Sequence, residues 1–191
     1  FLSPFDLVVH ARRQGLHAIA VTEHNLVFPA LLARWFSRAT GGPVVIVGEE
    51  VTSSRYHVHA YGLRDRVLPT YDPARVIDAV HAQGGLVVAA HPVREFWPAL
   101  LPVRGRLDGA EIMHPIAFGS ARGAWSWSQM EEFFEGAAAG GHRLTAVGAS
   151  DYHFFSYLGL CRTWVFAREA TEAGVMEALR AGRTVVQDHR G

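Results

Sequence analysis

The feature that most constrains this chain is an alternation. Continuous apolar runs of strand length are separated by stretches that carry helical periodicity and helical end signals. Residues 16–22 (LHAIAVT), 44–51 (VVIVGEEV), 56–63 (YHVHAYGL), 86–92 (LVVAAHP), 109–115 (GAEIMHP), 144–151 (LTAVGASD) and 161–167 (CRTWVFA) read as strands. Between them, SPFDLVVHARRQG reads as a helix, with Ser3 at the N-cap, Pro4 at the first helical position and Gly15 as its stop. Residues 29–40, 128–140 and 171–182 are also helical. Residues 72–85 form the best-signed helix: Asp72 caps it, Pro73 opens it, and Val76, Ile77 and Val80 share one face. Buried strands divided by helices predict an α/β fold with a parallel sheet, barrel-like or doubly wound. The 191 residues suit one domain, and a 49% hydrophobic content supplies its core. The longest expected loop, 116–127, either covers a site or is a surface excursion.

In such folds the chemistry gathers at the carboxyl ends of the strands. Here those ends carry imidazoles and carboxylates. The first run leads into Glu23 and His24, the second into Glu49 and Glu50, and the third carries His57 and His59. The next two end at His91 and His114, and the run at 144–149 opens into Asp151 and His153. One histidine at a strand end is ordinarily a hydrogen-bonded polar residue. Six strands delivering such groups to one sheet edge point to bound cations, because clustered carboxylates repel and unpaired buried charge is costly. Imidazole and carboxylate are ligands for zinc, manganese or iron. Glu49 and Glu50 are adjacent in a strand and face opposite ways, so one is a ligand. His57 and His59 share a face; both reach the site, or one binds substrate. Glu23 binds metal, orients His24 or caps the backbone. His10 and His81 lie within helices, His142 in a glycine-rich turn, His17 at the wrong end of its strand and His189 near the terminus; these take structural or solvent roles.

Other chemistries find little support. A formal net charge of zero gives no electrostatic case for nucleic acid or an anionic membrane. No apolar run is long enough to span a bilayer. There is no G-x-S-x-G elbow and no P-loop. The one cysteine, Cys161, excludes an internal disulfide framework, reads as a small core residue and favours a reducing, cytoplasmic setting. Trp125 and Trp127 offer a stacking surface or a cover for the barrel mouth.

The segments TEHN, GEEVTSS, HVHAYG, AHP and GASDYHF, in this order, resemble the PHP (polymerase and histidinol phosphatase) metal-dependent phosphoesterases. LRAGRTVV and the glutamate of TEH resemble the branch that includes carbaryl-hydrolase-like proteins. The resemblance implies a distorted (β/α)7 TIM-like barrel with two or three divalent metal ions. Carried over by motif, His24 and His153 serve one metal, and Glu50, His57 and His91 share another. Asp151 serves a metal bridged through Glu50. The family's first motif, H-x-H, has no counterpart here. It is expected upstream of Phe1, so that 1–191 is a single PHP-like domain lacking its first strand and continuing past residue 191. Only the Glu50–His57–His91 site then keeps all its protein ligands.

By the same resemblance the expected activity is metal-dependent hydrolysis of a small-molecule phosphate ester, through in-line attack by a metal-bound hydroxide. His59, His114 and Arg94 are candidate donors to the developing charge. Their ordinary alternatives are packing, a backbone hydrogen bond and solvation, respectively. Two other readings stand beside this one: a carbamate, ester or amide hydrolase of the same fold, and a non-catalytic metal-binding domain.

Overall fold

The computed structural model describes residues 3–115, 126–153 and 157–187. Helix α1 (Pro4–Arg13) opens with a capping box: the Asp6 N–H donates to Ser3 Oγ at 3.2 Å, and the Ser3 N–H donates to the Asp6 carboxylate at 3.2 Å. It leads into β1 (Ala18–Val21), α2 (Phe28–Thr40) and β2 (Val44–Thr52). Strand β3 (His57–Tyr61), α3 (Pro73–His81) and β4 (Leu86–Ala89) follow. As expected, Asp72 caps α3 by accepting from the Ala74 N–H. A short helix, α4 (Trp97–Leu100), and a 3₁₀ segment (Leu101–Arg106) lead to β5 (Gly109–Met113). Then come α5 (Trp127–Ala139), β6 (Thr145–Gly148), β7 (Arg162–Val165), α6 (Glu172–Arg180) and β8 (Thr184–Gln187).

Strands β1 to β6 form one sheet in sequence order, curled into a half-barrel. The pairs β1–β2, β4–β5 and β5–β6 are parallel, as the alternation predicts. Strand β3 departs from it and runs antiparallel to both β2 and β4. The reason is the length of its connection. Only residues 53–56 separate β2 from β3, too few for a parallel crossover but enough for a hairpin. The reversal places the first residue of β3, His57, at the same sheet edge where the parallel strands end. A second correction concerns the segment 161–167. Its strand, β7, is not part of the main sheet but pairs antiparallel with β8. This strand pair is tied to β6, where the Gly148 N–H donates to Thr163 Oγ1 and Thr184 Oγ1 donates to the Ala146 carbonyl.

Three apolar clusters hold the layers together. Val76, Ile77 and Val80 of α3 and Met130 and Phe133 of α5 pack on Val58, Ala60, Val87 and Ala89. Helices α1 and α2 bring Val8, Ala11, Ala30 and Ala33 against Ile19, Val21, Val45 and Val47. On the concave face, α6 buries Val175, Met176 and Leu179 against Ile46, Tyr61, Leu86, Val88 and Val147. Cys161 is buried, as a small core residue should be. No helix among the described residues is long and apolar enough to cross a membrane. Trp127 begins α5; Trp125, His189 and most of the 116–127 loop lie outside the described residues.

Candidate metal centre

Strand pairing builds the site. Glu50 of β2 lies opposite His59 of β3, and Thr52 opposite His57, so Glu50, His57 and His59 share one face. His57 Nδ1 lies 2.8 Å from Glu50 Oε1. His91, two residues past the end of β4, brings its Nε2 to 3.0 Å from His57 Nδ1 and 3.9 Å from Glu50 Oε1. The His57 ring stacks on Phe96, with centroids 4.8 Å apart, which fixes its orientation. Glu50 is 3% exposed, and its Oε1 has no donor in hydrogen-bonding geometry despite the close nitrogen. A short, misaligned approach of two imidazole nitrogens and a carboxylate oxygen is what converging lone pairs on one cation look like. Ligands about 2.0–2.2 Å from a tetrahedral zinc-sized ion are about 3.3 Å apart. The three observed separations bracket that edge, so these residues fit a divalent cation.

The other oxygen of Glu50 faces a second group. His24 Nδ1 lies 3.8 Å from Glu50 Oε2 and 2.6 Å from Thr52 Oγ1. Asn25 staples this corner to β2: its N–H donates to the Glu50 carbonyl, and its side-chain amide exchanges two hydrogen bonds with the Thr52 backbone. Glu23, for which three roles were open, accepts from the His24 N–H at 3.3 Å. His153 stands with its ring 6.1 Å from that of His24 and its Nδ1 3.5 Å from Asp151 Oδ1. Asp151 Oδ2 lies 3.2 Å from His114 Nε2. Glu49 points to the opposite face, where it is buried and accepts from the Val67 N–H at 2.5 Å.

The backbone is strained at this edge. Asn25, His91 and Asp151 are the non-glycine residues with positive φ among the described residues, at 53°, 30° and 39°. Such conformations cost about 1–3 kcal/mol each and persist only where surrounding structure enforces them. Two of the three carry candidate ligands and the third holds β2 in place.

Sequence reasoning missed Glu111. It lies in the middle of β5 and is 0% exposed. Its Oε1 lies 2.8 Å from His59 Nε2, and its Oε2 accepts from the His91 backbone N–H at 2.6 Å. His91, Glu111 and His114 form a second set of mutually close ligand atoms. The available signal was a carboxylate inside the run GAEIM, where an unpaired charge has no place.

Electrostatics follows from this packing. Burial opposes ionisation of Glu111, but the adjacent His59, with His91 and His114, holds it well below the usual carboxylate range. Burial would likewise lower His59, yet Glu111, Glu50 and Asp151 push it up to about 9. Burial raises Glu50; the His57 ring 2.8 Å away and the fields of His59, His91 and His24 outweigh it and leave its carboxyl low. Asp151 is lowered and His114 raised through their mutual contact, each against its own desolvation.

Arg94, expected as a donor at the site, is engaged elsewhere. Its guanidinium lies 2.9 Å from the Glu132 carboxylate of α5 and over the Trp97 ring. His81 pairs with Asp108 at the end of α3, and His10 lies 3.4 Å from the Tyr152 hydroxyl. A cavity of about 1010 Å³ opens on the concave side of the sheet, with His24, Glu50, His59, Asp151 and His153 in its lining and Ile46, Tyr61 and Val147 along its apolar wall.

Residues 135–184, from the end of α5 to the start of β8, match the family model described as PHP-associated. An uncharacterised protein of Methanocaldococcus jannaschii is 26% identical over 97 residues, 51% of this chain and 56% of its own length. The chain thus spans about half the length of that curated relative. A two-domain protein from Bacteroides vulgatus, containing a predicted PHP-like metal-dependent phosphoesterase, superposes with a TM-score of 0.78 at 24% identity, over 99% of this chain and 61% of that one. An inferred metal-dependent phosphoesterase from Bifidobacterium adolescentis gives a TM-score of 0.60 at 19% identity, over 83% of this chain and 86% of that one. An amidohydrolase from Chromobacterium violaceum gives 0.53 at 15% identity, over 80% and 82%. These likenesses agree with a PHP-type, TIM-like α/β fold.

Proposed function

We propose that this chain carries the ligand set of a divalent-metal hydrolase that acts on small phosphate esters. The observation that carries the reading is the convergence of Glu50, His57 and His91, with the buried Glu50 Oε1 lacking an aligned donor. Glu50 also turns Oε2 toward His24, so one carboxylate has an oxygen for each of two ions. His24, Asp151 and His153 supply further ligands of a two- or three-ion centre of zinc, manganese or iron. Such ions, when bound, polarise phosphoryl oxygens and acidify water.

The chain's own residues do the rest. Glu111 occupies Nε2 of His59, whose Nδ1 is buried without a hydrogen-bond partner in a residue that lines the cavity. His59 is therefore the donor to the phosphoryl oxygen that gains charge. His114 spends Nε2 on Asp151 and orients that ligand rather than the substrate. Phe96 and the apolar cavity wall limit water around the cluster.

The test strips the protein with chelator, restores Mn²⁺, Zn²⁺ or Fe²⁺, and follows nitrophenyl phosphodiester, phosphomonoester and carbamate substrates. Metal-restored release from a phosphoester is the expected result. Release from the carbamate alone would move the protein to the carbaryl-hydrolase-like reading. Metal binding without turnover of any substrate would leave a non-catalytic metal domain.

A further inference from the structure

We propose that Glu111 is the positioning residue of this centre, a single carboxylate that fixes both the ligand His91 and the donor His59. The inference rests on the metal-centre reading above. Glu111 is fully buried in β5, and both of its oxygens are in use. Oε2 takes the backbone N–H of His91, the residue held at a φ of 30°. That conformation aims the His91 ring so that Nε2 meets His57 and Glu50. A charged acceptor at the N–H is the restraint that keeps the strained backbone in place. Oε1 takes Nε2 of His59, which leaves Nδ1, buried and without a hydrogen-bond partner, as the uncommitted nitrogen of that ring. Both consequences act through other residues, and Glu111 itself is closed off from the cavity lining.

The rival use of Glu111 is as a ligand of a separate ion with His91 and His114, whose candidate atoms lie within 4.8 Å of one another. Geometry disfavours it. Both Glu111 oxygens are already committed, Oε2 to the His91 N–H at 2.6 Å and Oε1 to His59 Nε2 at 2.8 Å. All three residues are buried, so an ion there would have no open position for water and could not be a catalytic one.

Cobalt(II) is the probe, because its visible absorption reports both affinity and coordination geometry. It is titrated into the chelator-stripped protein, Glu111→Gln, Glu111→Asp and the control Glu49→Gln, with thermal unfolding of each apo form. Glutamine keeps one acceptor oxygen for His91 but removes the charge and offers His59 only an N–H; aspartate keeps the charge but withdraws it by a methylene. Removing such an outer partner weakens metal binding about 10–100-fold. The expected result is that weakening in every Glu111 variant that shows a cooperative apo transition, with unchanged cobalt stoichiometry and a shifted absorption band. Glu49, equally buried on the other face of β2, should leave affinity and spectrum unchanged. A Glu111→Gln or Glu111→Asp affinity within twofold of wild type overturns the proposal. So does loss of one cobalt with the remaining affinity unaltered, or equal weakening in Glu49→Gln. No cobalt binding by the wild-type chain is a different failure: it sinks the metal-centre reading itself.

Discussion

Replacing Glu50 with glutamine removes the one charged ligand that the cluster of Glu50, His57 and His91 possesses, at nearly constant volume. Glu50 Oε1 approaches two imidazole nitrogens at 2.8 and 3.9 Å, and Oε2 approaches a third at 3.8 Å, so no neighbouring carboxylate takes its place between His24, His57 and His91. Loss of an inner ligand should exceed the about 10–100-fold penalty for outer partners, which sets 100-fold as a lower bound. At a metal concentration about 100 times the wild-type Kd, binding stabilises the wild type by about 2.7 kcal/mol. For a chain of this size that is a rise in Tm of about 5–11 °C. At the same concentration the variant would gain about 0.4 kcal/mol, or about 1–2 °C. Differential scanning fluorimetry with and without chelator reads both shifts. A variant that keeps most of the wild-type metal-induced shift would refute the reasoning. Glu50 also makes a pH-dependent contribution to the apo protein. Its carboxyl sits below its ordinary value of 4.5, so the stability from its charge is present above that value and is lost as pH falls through the folded-state value. Glu50→Gln should abolish that acid-side loss.

Glu49 should behave with the opposite sign. Burial raises its carboxyl above 4.5, so its contribution is most favourable below that value and declines as pH rises; Glu49→Gln should match the wild-type apo Tm at pH 4.5 and exceed it at pH 7.5, and equal Tm values at both would contradict this. Gly48→Ala would press a methyl group onto the Ala60 carbonyl between β2 and β3. It should cost about 1–3 kcal/mol in chemical denaturation and weaken metal binding by disturbing the pairing of Glu50 with His57. Ser3→Ala removes the Oγ that caps α1 and should lower stability by about 1 kcal/mol, with metal affinity unchanged in the same titration.

Much of the fold was legible because its central strands, β2 to β4, are buried on both faces and several of its helices carry explicit end signals. Asp72 and Pro73 open α3 where the sequence says, and Ser3 closes its capping box with Asp6. The direction of β3 was not read from HVHAY, since an apolar run has no polarity. The four residues between it and β2 carried the information, because only a hairpin fits there. Strand β7 was visible as a strand, but its partner β8 follows a whole helix later, and pairing at that separation leaves no local trace. At the site, periodicity placed Glu50 and Glu49 on opposite faces, and the strand-end pattern brought out the histidines. It could not show that Arg94 would turn to Glu132, because the α5 register is a tertiary property. It passed over Glu111 because attention to strand ends overlooks a carboxylate at a strand's centre, where its contacts with His59 and the His91 N–H make its charge tolerable.

The central claim is that Glu50, His57 and His91 hold a divalent cation. Anomalous diffraction above a metal absorption edge, on crystals grown with Zn²⁺ or Mn²⁺, tests it most directly. The expected result is a peak bonded to Glu50 Oε1, His57 Nδ1 and His91 Nε2, about 2.0–2.2 Å from each for zinc. A metal-saturated crystal with no peak there, and with His57 and His91 still in direct contact with each other, would contradict it.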